Sequence, residues 1–279
     1  MMLTVLWLGL GCAQQAEEPV QQAARIVSLG SPVTEFVYAL GRGDSLVGRD
    51  SSSLFPEEAL ALPDVGYHRQ LSAEGVLSLA PSLVLATAHA GPPEAIEQLR
   101  AAGVTVLLLP EEATAEGARA RSLAAGEALD RDEAAQALVE QLDAGLLGLS
   151  PLTKASKVMF VYARGGVALE VSGQETAADE MIRLVGAQNA ISGYTGYKPL
   201  TPEAAIAAAP DVLLMTARGL ESAGGEATIW ENPALMATPA GQSRRLIVMD
   251  DLLLLGFGPR LPEAARQLTS ALAETQTSP

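Results

Sequence analysis

Residues 72–85 read Ser-Ala-Glu-Gly-Val-Leu-Ser-Leu-Ala-Pro-Ser-Leu-Val-Leu, and residues 201–214 read Thr-Pro-Glu-Ala-Ala-Ile-Ala-Ala-Ala-Pro-Asp-Val-Leu-Leu. Ser72 and Thr201, Glu74 and Glu203, and Pro81 and Pro210 all stand at one offset of 129. Each copy predicts the same unit. A hydroxyl caps a short helix, and a Glu sits in the first turn where the helix dipole favours it. A Pro then stops the helix before a buried strand. The repeat extends backwards to Gly66-Tyr67-His68 and Gly196-Tyr197-Lys198, at an offset of 130. A third echo pairs Ala39-Leu40-Gly41 to Val47-Gly48 with Leu184-Val185-Gly186 to Ser192-Gly193.

Such internal similarity predicts two alike lobes that face each other. Short apolar runs alternate with helical stretches, the grammar of α/β units with mainly parallel strands. Strand candidates are Arg25–Leu29, Leu83–Ala86, Val104–Leu109, Val158–Tyr162, Val212–Met215 and Leu246–Met249. Between the copies, Asp130 to Leu149 carries apolar residues at helical spacing: Ala134, Ala137, Leu138, Leu142 and Leu146. The expected fold class is therefore α/β, with two Rossmann-like lobes joined by one long backbone helix and a ligand in the inter-lobe cleft. The expected boundaries are 25–129 for the first lobe, 130–150 for the linking helix and 151–279 for the second lobe. A connection through a helix is stiffer than a strand hinge and disfavours wide clamshell closure.

Composition narrows the function. The chain has 279 residues, 48% of them hydrophobic, which is ample for packed cores. A formal charge of −15 argues against a nucleic-acid binder and against attachment to anionic lipid by charge. Two His residues, His68 and His89, and one Cys leave no material for a multi-imidazole metal site, a disulfide framework or an iron–sulfur centre. The opening MMLTVLWLGLGC, followed by a polar Ala/Gln/Glu stretch, reads as an export signal and tether over residues 1–24. The apolar run is too short to span a bilayer. Cys12 stands where a bacterial lipoprotein would carry its lipid, the one expected link to a membrane. The protein is expected outside the cytoplasm, in the periplasm or lipid-anchored on the outer face of the cytoplasmic membrane, and as a monomer.

The paired Gly-Tyr loops should face the cleft, where α/β folds bind ligands. Tyr67, His68 and Arg69 set a phenol, an imidazole and a guanidinium side by side. Together they suit a metal complex with carboxylate arms. A phenolate is an axial ligand for ferric haem, and Arg pairs with a propionate through two hydrogen bonds. Tyr197 occupies the equivalent loop of the second lobe. Lys198, Arg218 and Arg260 are further cationic candidates. His89 lies just after a strand, at its carboxyl-terminal mouth, a position that a packing residue fills equally well. No nucleophile–base set, glycine-rich phosphate loop or acid–base carboxylate pair points to an enzyme.

The run Val65–Leu79 closely resembles the signature of bacterial haemin ABC-transporter substrate-binding proteins. So do Arg25–Glu35, Ala90–Pro93, Gly196–Leu200 and Leu255–Glu263, and the likeness extends over residues 25–272. The resemblance implies capture of haem and its delivery to a dimeric permease driven by an ATPase. It implies Tyr67 as the axial ligand of the haem iron and Arg69 close to the haem. It also implies that Glu74 and Glu203, on the two lobe tops, pair with Arg residues of the permease. His68 stands where relatives often carry Met, which raises the question of a neighbouring imidazole at the iron. Some relatives hold two stacked haems. Corrinoid and ferric-siderophore binders share the general lobe pattern and form the alternative.

Overall fold

The computed structural model describes residues 24–163, 165 and 169–277. The expected export signal and Cys12 lie outside them. The N-terminal lobe comprises β1 (Ile26–Leu29), α1 (Ser31–Ala39), β2 (Leu46–Arg49), α2 (Ala73–Leu77), β3 (Leu83–Thr87), α3 (Pro93–Ala101) and β4 (Thr105–Leu109). Two helices follow, α4 (Ala115–Ala128) and α5 (Asp132–Leu147). The C-terminal lobe begins with β5 (Lys157–Tyr162), β6 (Glu170–Ser172), α6 (Ala177–Leu184), β7 (Gln188–Asn189), β8 (Tyr197–Pro199), α7 (Pro202–Ala208) and β9 (Val212–Thr216). Four short helices come next: α8 (Ala217–Ser222), α9 (Glu226–Glu231), α10 (Pro233–Met236) and α11 (Pro239–Gln242). The chain then forms β10 (Leu246–Met249), α12 (Asp251–Leu255) and α13 (Leu261–Thr277).

The repeat in the sequence is a repeat in the sheets. The first sheet is parallel, in the order β2-β1-β3-β4. The second contains the same motif as β7-β5-β9-β10, again parallel. To this the second lobe adds β6, antiparallel to β5 at its carboxyl end on the edge that also carries β7, and β8, antiparallel to β6. Backbone conformation repeats as well. Ser72 Oγ accepts from the Gly75 amide at 3.4 Å, and Thr201 Oγ1 from the Ala204 amide at 3.2 Å. Ala80 (φ 45°) and Ala209 (φ 43°) both adopt the left-handed region just before the matching prolines. Gly66 and Gly196 are left-handed before the two tyrosines. Two alanines tolerating a conformation that costs about 1 kcal/mol or more mark a turn fixed by its surroundings rather than by preference.

The central strands of both sheets are buried on two faces, so their successive residues feed opposite clusters. In β5, Val158 and Phe160 enter one cluster and Met159 and Val161 the other. In β9, Val212 and Leu214 alternate in the same way with Leu213 and Met215. In the first lobe Val27 and Leu29 face one cluster and Ile26 the other.

The linking helix expected over residues 130–150 is α5, and α4 packs against it as a second tie between the lobes. α4 gives Ala118 to a C-terminal-lobe cluster and Ala125 to an N-terminal-lobe cluster, and α5 gives Leu142 and Ala135 to the same two in reverse order. The two helices thus run antiparallel, and both tie the lobes. They approach closely: a Cβ on Gly126 would stand 2.3 Å from that of Ala135. Arg119 Nε donates to Asp143 Oδ1 at 2.6 Å across the pair. The three-residue break at Leu129-Asp130-Arg131 includes Asp130 in the left-handed region (φ 53°), which ends α4 and reverses the chain.

Candidate functional site

The carboxyl ends of β1, β3, β4 and β5 open onto one cleft of about 500 Å³ between the lobes. Gly30, Thr87, Pro110 and Tyr162 line it, each at or just beyond the end of its strand. Tyr67, His68 and Arg69 line it too.

Local bonding explains why those three reach the cleft. The loop runs alongside the end of β2: Arg49 N donates to Pro63 O at 3.0 Å, and Val65 N to Arg49 O at 2.9 Å. Gly66 turns at φ 89° with its amide on Asp64 Oδ1 at 2.8 Å. Beyond Tyr67, the segment is tied to the loop after β3, with Gly91 N on His68 O and Leu71 N on Gly91 O, both at 2.8 Å. Tyr67 is left half-buried and Arg69 exposed.

His68 is buried and oriented from beneath. Its Nδ1 lies 2.8 Å from Oδ2 of Asp50, which is itself inaccessible to solvent. Asp50 also accepts from the Gly30 amide (3.0 Å), Ser53 Oγ (2.6 Å), Ser52 Oγ (2.6 Å) and the Ser52 amide (3.2 Å). Burial works to raise the Asp50 pKa, but the hydrogen bonds from His68, Ser52, Ser53 and Gly30 outweigh it and hold it at about 2. An ionised carboxylate only accepts, so His68 Nδ1 carries the proton and Nε2 is the nitrogen left to the cleft. This is the arrangement that fixes the tautomer of ligating imidazoles. The rings of Tyr67 and His68 meet edge to face, centroids 4.6 Å apart.

The remaining candidates fall outside this lining. Arg260 forms a bidentate pair with Glu35 of α1, Nε on Oε2 and the second nitrogen on Oε1, each at 2.8 Å. Its guanidinium carbon lies 3.6 Å above the centroid of the Phe55 ring. Glu35 is buried in the N-terminal lobe, so Arg260 is committed to joining the lobes rather than to the cleft. Arg218 is exposed and shares with Arg260, Asp250 and Asp251 a small neighbouring hollow of about 120 Å³. Lys198 sits on β8 with its Nζ 4.4 Å from the Tyr194 ring centroid. Tyr197 packs on Tyr162, centroids 5.5 Å apart, and burial raises its phenol pKa. Tyr162 lines the cleft, and Tyr197 behind it does not. His89 is exposed and ion-paired with Glu111, which lines the cleft. Glu74 and Glu203 are exposed in the first turns of α2 and α7.

Sequence reasoning missed Arg121. It is 4% exposed and lines the cleft floor. Its terminal nitrogens donate to Pro110 O (3.0 Å) and Glu112 O (3.3 Å) of the N-terminal side and to Phe257 O (2.8 Å) of the C-terminal lobe. Burial lowers its pKa, with Glu111 and Glu112 opposing. The available signal was an Arg inside a stripe of small residues at helical spacing, Gly117, Ala118, Ser122 and Ala125, all buried. Asp50 and Glu35 were missed because their partners His68 and Arg260 lie far off in the chain.

Among the described residues, no group of three or more His, Cys, Asp or Glu side chains is placed to hold a bare metal ion. No described helix is long and apolar enough to cross a membrane. The two sheets, the twin connecting helices and the cleft at the strand ends define a two-lobed binding protein of the helical-backbone class. The chain belongs to the periplasmic binding protein family, whose model matches residues 26–253. Solved structures of periplasmic heme-binding proteins are similar, two of them as follows. The periplasmic heme-binding protein BhuT, in complex with two hemes, is 44% identical, with a TM-score of 0.85 over 90% of this chain and 98% of that one. The periplasmic heme-binding protein RhuT from Roseiflexus sp. RS-1, in apo form, is 42% identical, with a TM-score of 0.87 over 91% and 99%. The uncharacterized ABC transporter substrate-binding lipoprotein YvrC of Bacillus subtilis (strain 168) is 28% identical over 90% of this chain and 81% of its own length.

Proposed function

We propose that this protein is the haem-capturing component of an ABC importer. The observation that carries the reading is the inter-lobe cleft lined by Tyr67, His68 and Arg69, in a chain alike over nine-tenths of its length to periplasmic heme-binding proteins. A cleft of about 500 Å³ lies within the range of small-molecule and cofactor sites. Tyr67, as phenolate, holds ferric iron, a hard acid that favours oxygen donors. Arg69 offers positive charge beside it, which a protein of net charge −15 needs locally for an anionic ligand.

His68 serves the same side of the haem as Tyr67. Two ligands on opposite faces of one iron have donor atoms about 4 Å apart, from metal–ligand bonds of about 2 Å each. Their ring centroids lie further apart still. A separation of 4.6 Å does not fit that arrangement.

Delivery runs through Glu74 and Glu203. They stand at equivalent positions of two lobes, exposed on helix first turns, and suit a partner with two equivalent basic sites. The permease is a dimer on this reading, and its ATPase supplies the energy. The chain is exported, either free in the periplasm or held to the outer face of the cytoplasmic membrane through a lipid on Cys12.

A haemin titration of the purified protein followed by absorbance tests the reading, with Tyr67→Phe alongside. The expected result is a saturable Soret shift with a phenolate-to-iron charge-transfer band that the variant loses. Absence of a saturable shift in the parent protein overturns haem capture. A band that persists in Tyr67→Phe overturns the ligand assignment.

A further inference from the structure

Three buried side-chain polar atoms among the described residues lack a hydrogen-bond partner: Ser31 Oγ, Thr87 Oγ1 and Arg121 Nε. Buried polar atoms are nearly always paired, so each orphan calls for a cause. All three belong to residues that line the same cleft. They are also neighbours. Thr87 lies against Gly30, where a Cβ would stand 2.2 Å from Thr87 Cγ2, and Ser31 follows Gly30. Thr87 pairs in register with Leu109, and Arg121 donates to the carbonyl of Pro110, the next residue. The patch therefore joins the carboxyl ends of β1, β3 and β4.

Its electrostatics favour an anion. Ser31 opens α1, a nine-residue helix with no side-chain cap, so the positive end of the helix is directed at the patch. Arg121 makes its hydrogen bonds to carbonyl oxygens, and the Glu111 and Glu112 carboxylates act on its charge through space alone. Asp50 already takes the Gly30 amide at this helix end, and the other acids that border the patch, Glu111 and Asp251, are hydrogen-bonded as well. Asp50 is held by His68, Ser52, Ser53 and the Gly30 amide; Glu111 pairs with His89; and Asp251 Oδ2 accepts from the Arg218 amide at 3.1 Å.

We propose that Ser31, Thr87 and Arg121 form a carboxylate subsite on the cleft floor, which takes a propionate of the bound haem. This rests on the haem reading above for the source of the carboxylate. The two hydroxyls donate to the propionate oxygens after a change of χ1, an ordinary rotamer step. Arg121 supplies the counter-charge from beneath. The haem then enters propionate first, with its iron at the level of Tyr67.

The test is a Ser31→Ala/Thr87→Val double variant, titrated with haemin and with haemin dimethyl ester, whose carboxylates are masked. The hydroxyls have no partner in the free protein, so their removal leaves the melting temperature unchanged or raised. A merely structural role would lower it. Haemin affinity is expected to fall about tenfold or more, the scale of a lost hydrogen bond to a charged group. The ester is expected to bind the parent protein about tenfold more weakly than haemin and not to distinguish the two proteins. Equal haemin affinity of parent and variant overturns the subsite alone, as does an ester bound as tightly as haemin. No haemin binding by the parent overturns the haem reading and the subsite with it.

Discussion

Replacing Arg260 with Met removes the cation from a bidentate pair and leaves Glu35 buried in the N-terminal lobe. Glu35 already has its pKa raised by burial, even with Arg260 in place. Without the guanidinium, the charged carboxylate has one escape, which is to bind a proton. From an ordinary value of 4.5, protonation at pH 7 costs about 3 kcal/mol, at 1.36 kcal/mol per pH unit. That figure is the ceiling on the charge penalty at pH 7. The sign follows from the direction of the shift. A carboxyl raised in the folded state destabilises as pH climbs above its unfolded value, and the penalty shrinks to below about 1 kcal/mol at pH 5. Loss of the cation over Phe55 adds about 0.5–1 kcal/mol at either pH. Thermal melts of Arg260→Met are therefore expected to fall by roughly 7–16 °C at pH 7, at about 2–4 °C per kcal/mol for a chain of this size. At pH 5 the fall shrinks to a few degrees. Adding Glu35→Gln removes the carboxylate, so the double variant should melt higher than Arg260→Met at pH 7 and lose the extra pH dependence. Equal losses at pH 5 and pH 7, or a double variant no better than the single one, would refute the argument that an unpaired buried charge governs this contact.

Three further outcomes are expected. Gly30→Ala places a Cβ 2.2 Å from Thr87 Cγ2 at φ 108° and should cost about 1–3 kcal/mol in urea unfolding. Thr87→Ser in the same chain should recover the steric part and leave the backbone part. Asp50, lowered from 3.8 to about 2, contributes about 2 kcal/mol that is fully present above pH 4 and drains away as pH falls towards 2. Asp50→Asn should flatten that stretch of the acid-unfolding curve. Glu74→Ala with Glu203→Ala should lower the melting temperature by no more than a few degrees, leave haem affinity within about twofold of the parent, both residues being exposed, and impair haem uptake in a reconstituted transporter. Normal uptake would remove them from the docking surface.

Most of the lobe architecture was legible because it is written twice. The offset at Ser72/Thr201, Glu74/Glu203 and Pro81/Pro210 becomes a matching cap, first turn and left-handed Ala in each lobe. Strands buried on both faces read as plain apolar runs, so β3, β5 and β9 stood out. β6, β7 and β8 did not, because two or three residues such as Gln188–Asn189 carry no period. α4 was hidden by its composition: its buried face is Gly, Ala and Ser, and a stripe of small residues has little amphipathic contrast with an Ala-rich exterior. The site divides in the same way. Tyr67 and Arg69 were visible as unusual residues in a glycine loop. Asp50, Glu35 and Arg121 act through partners 18, 225 and 136 positions away in the chain, and no local pattern reports such pairings.

The bracing of the lobes has a kinetic consequence. Two helices, the Glu35–Arg260 fork and the Arg121 guanidinium all span the same junction. A carrier so cross-tied presents nearly the same outline to its membrane partner whether empty or full. Empty copies would then occupy the dock as readily as loaded ones, and each would have to leave before a loaded copy could take its place. Uptake should pass through a maximum as the carrier is added at fixed haem and decline beyond it, so the cell gains from making this protein in proportion to its supply of ligand rather than in excess.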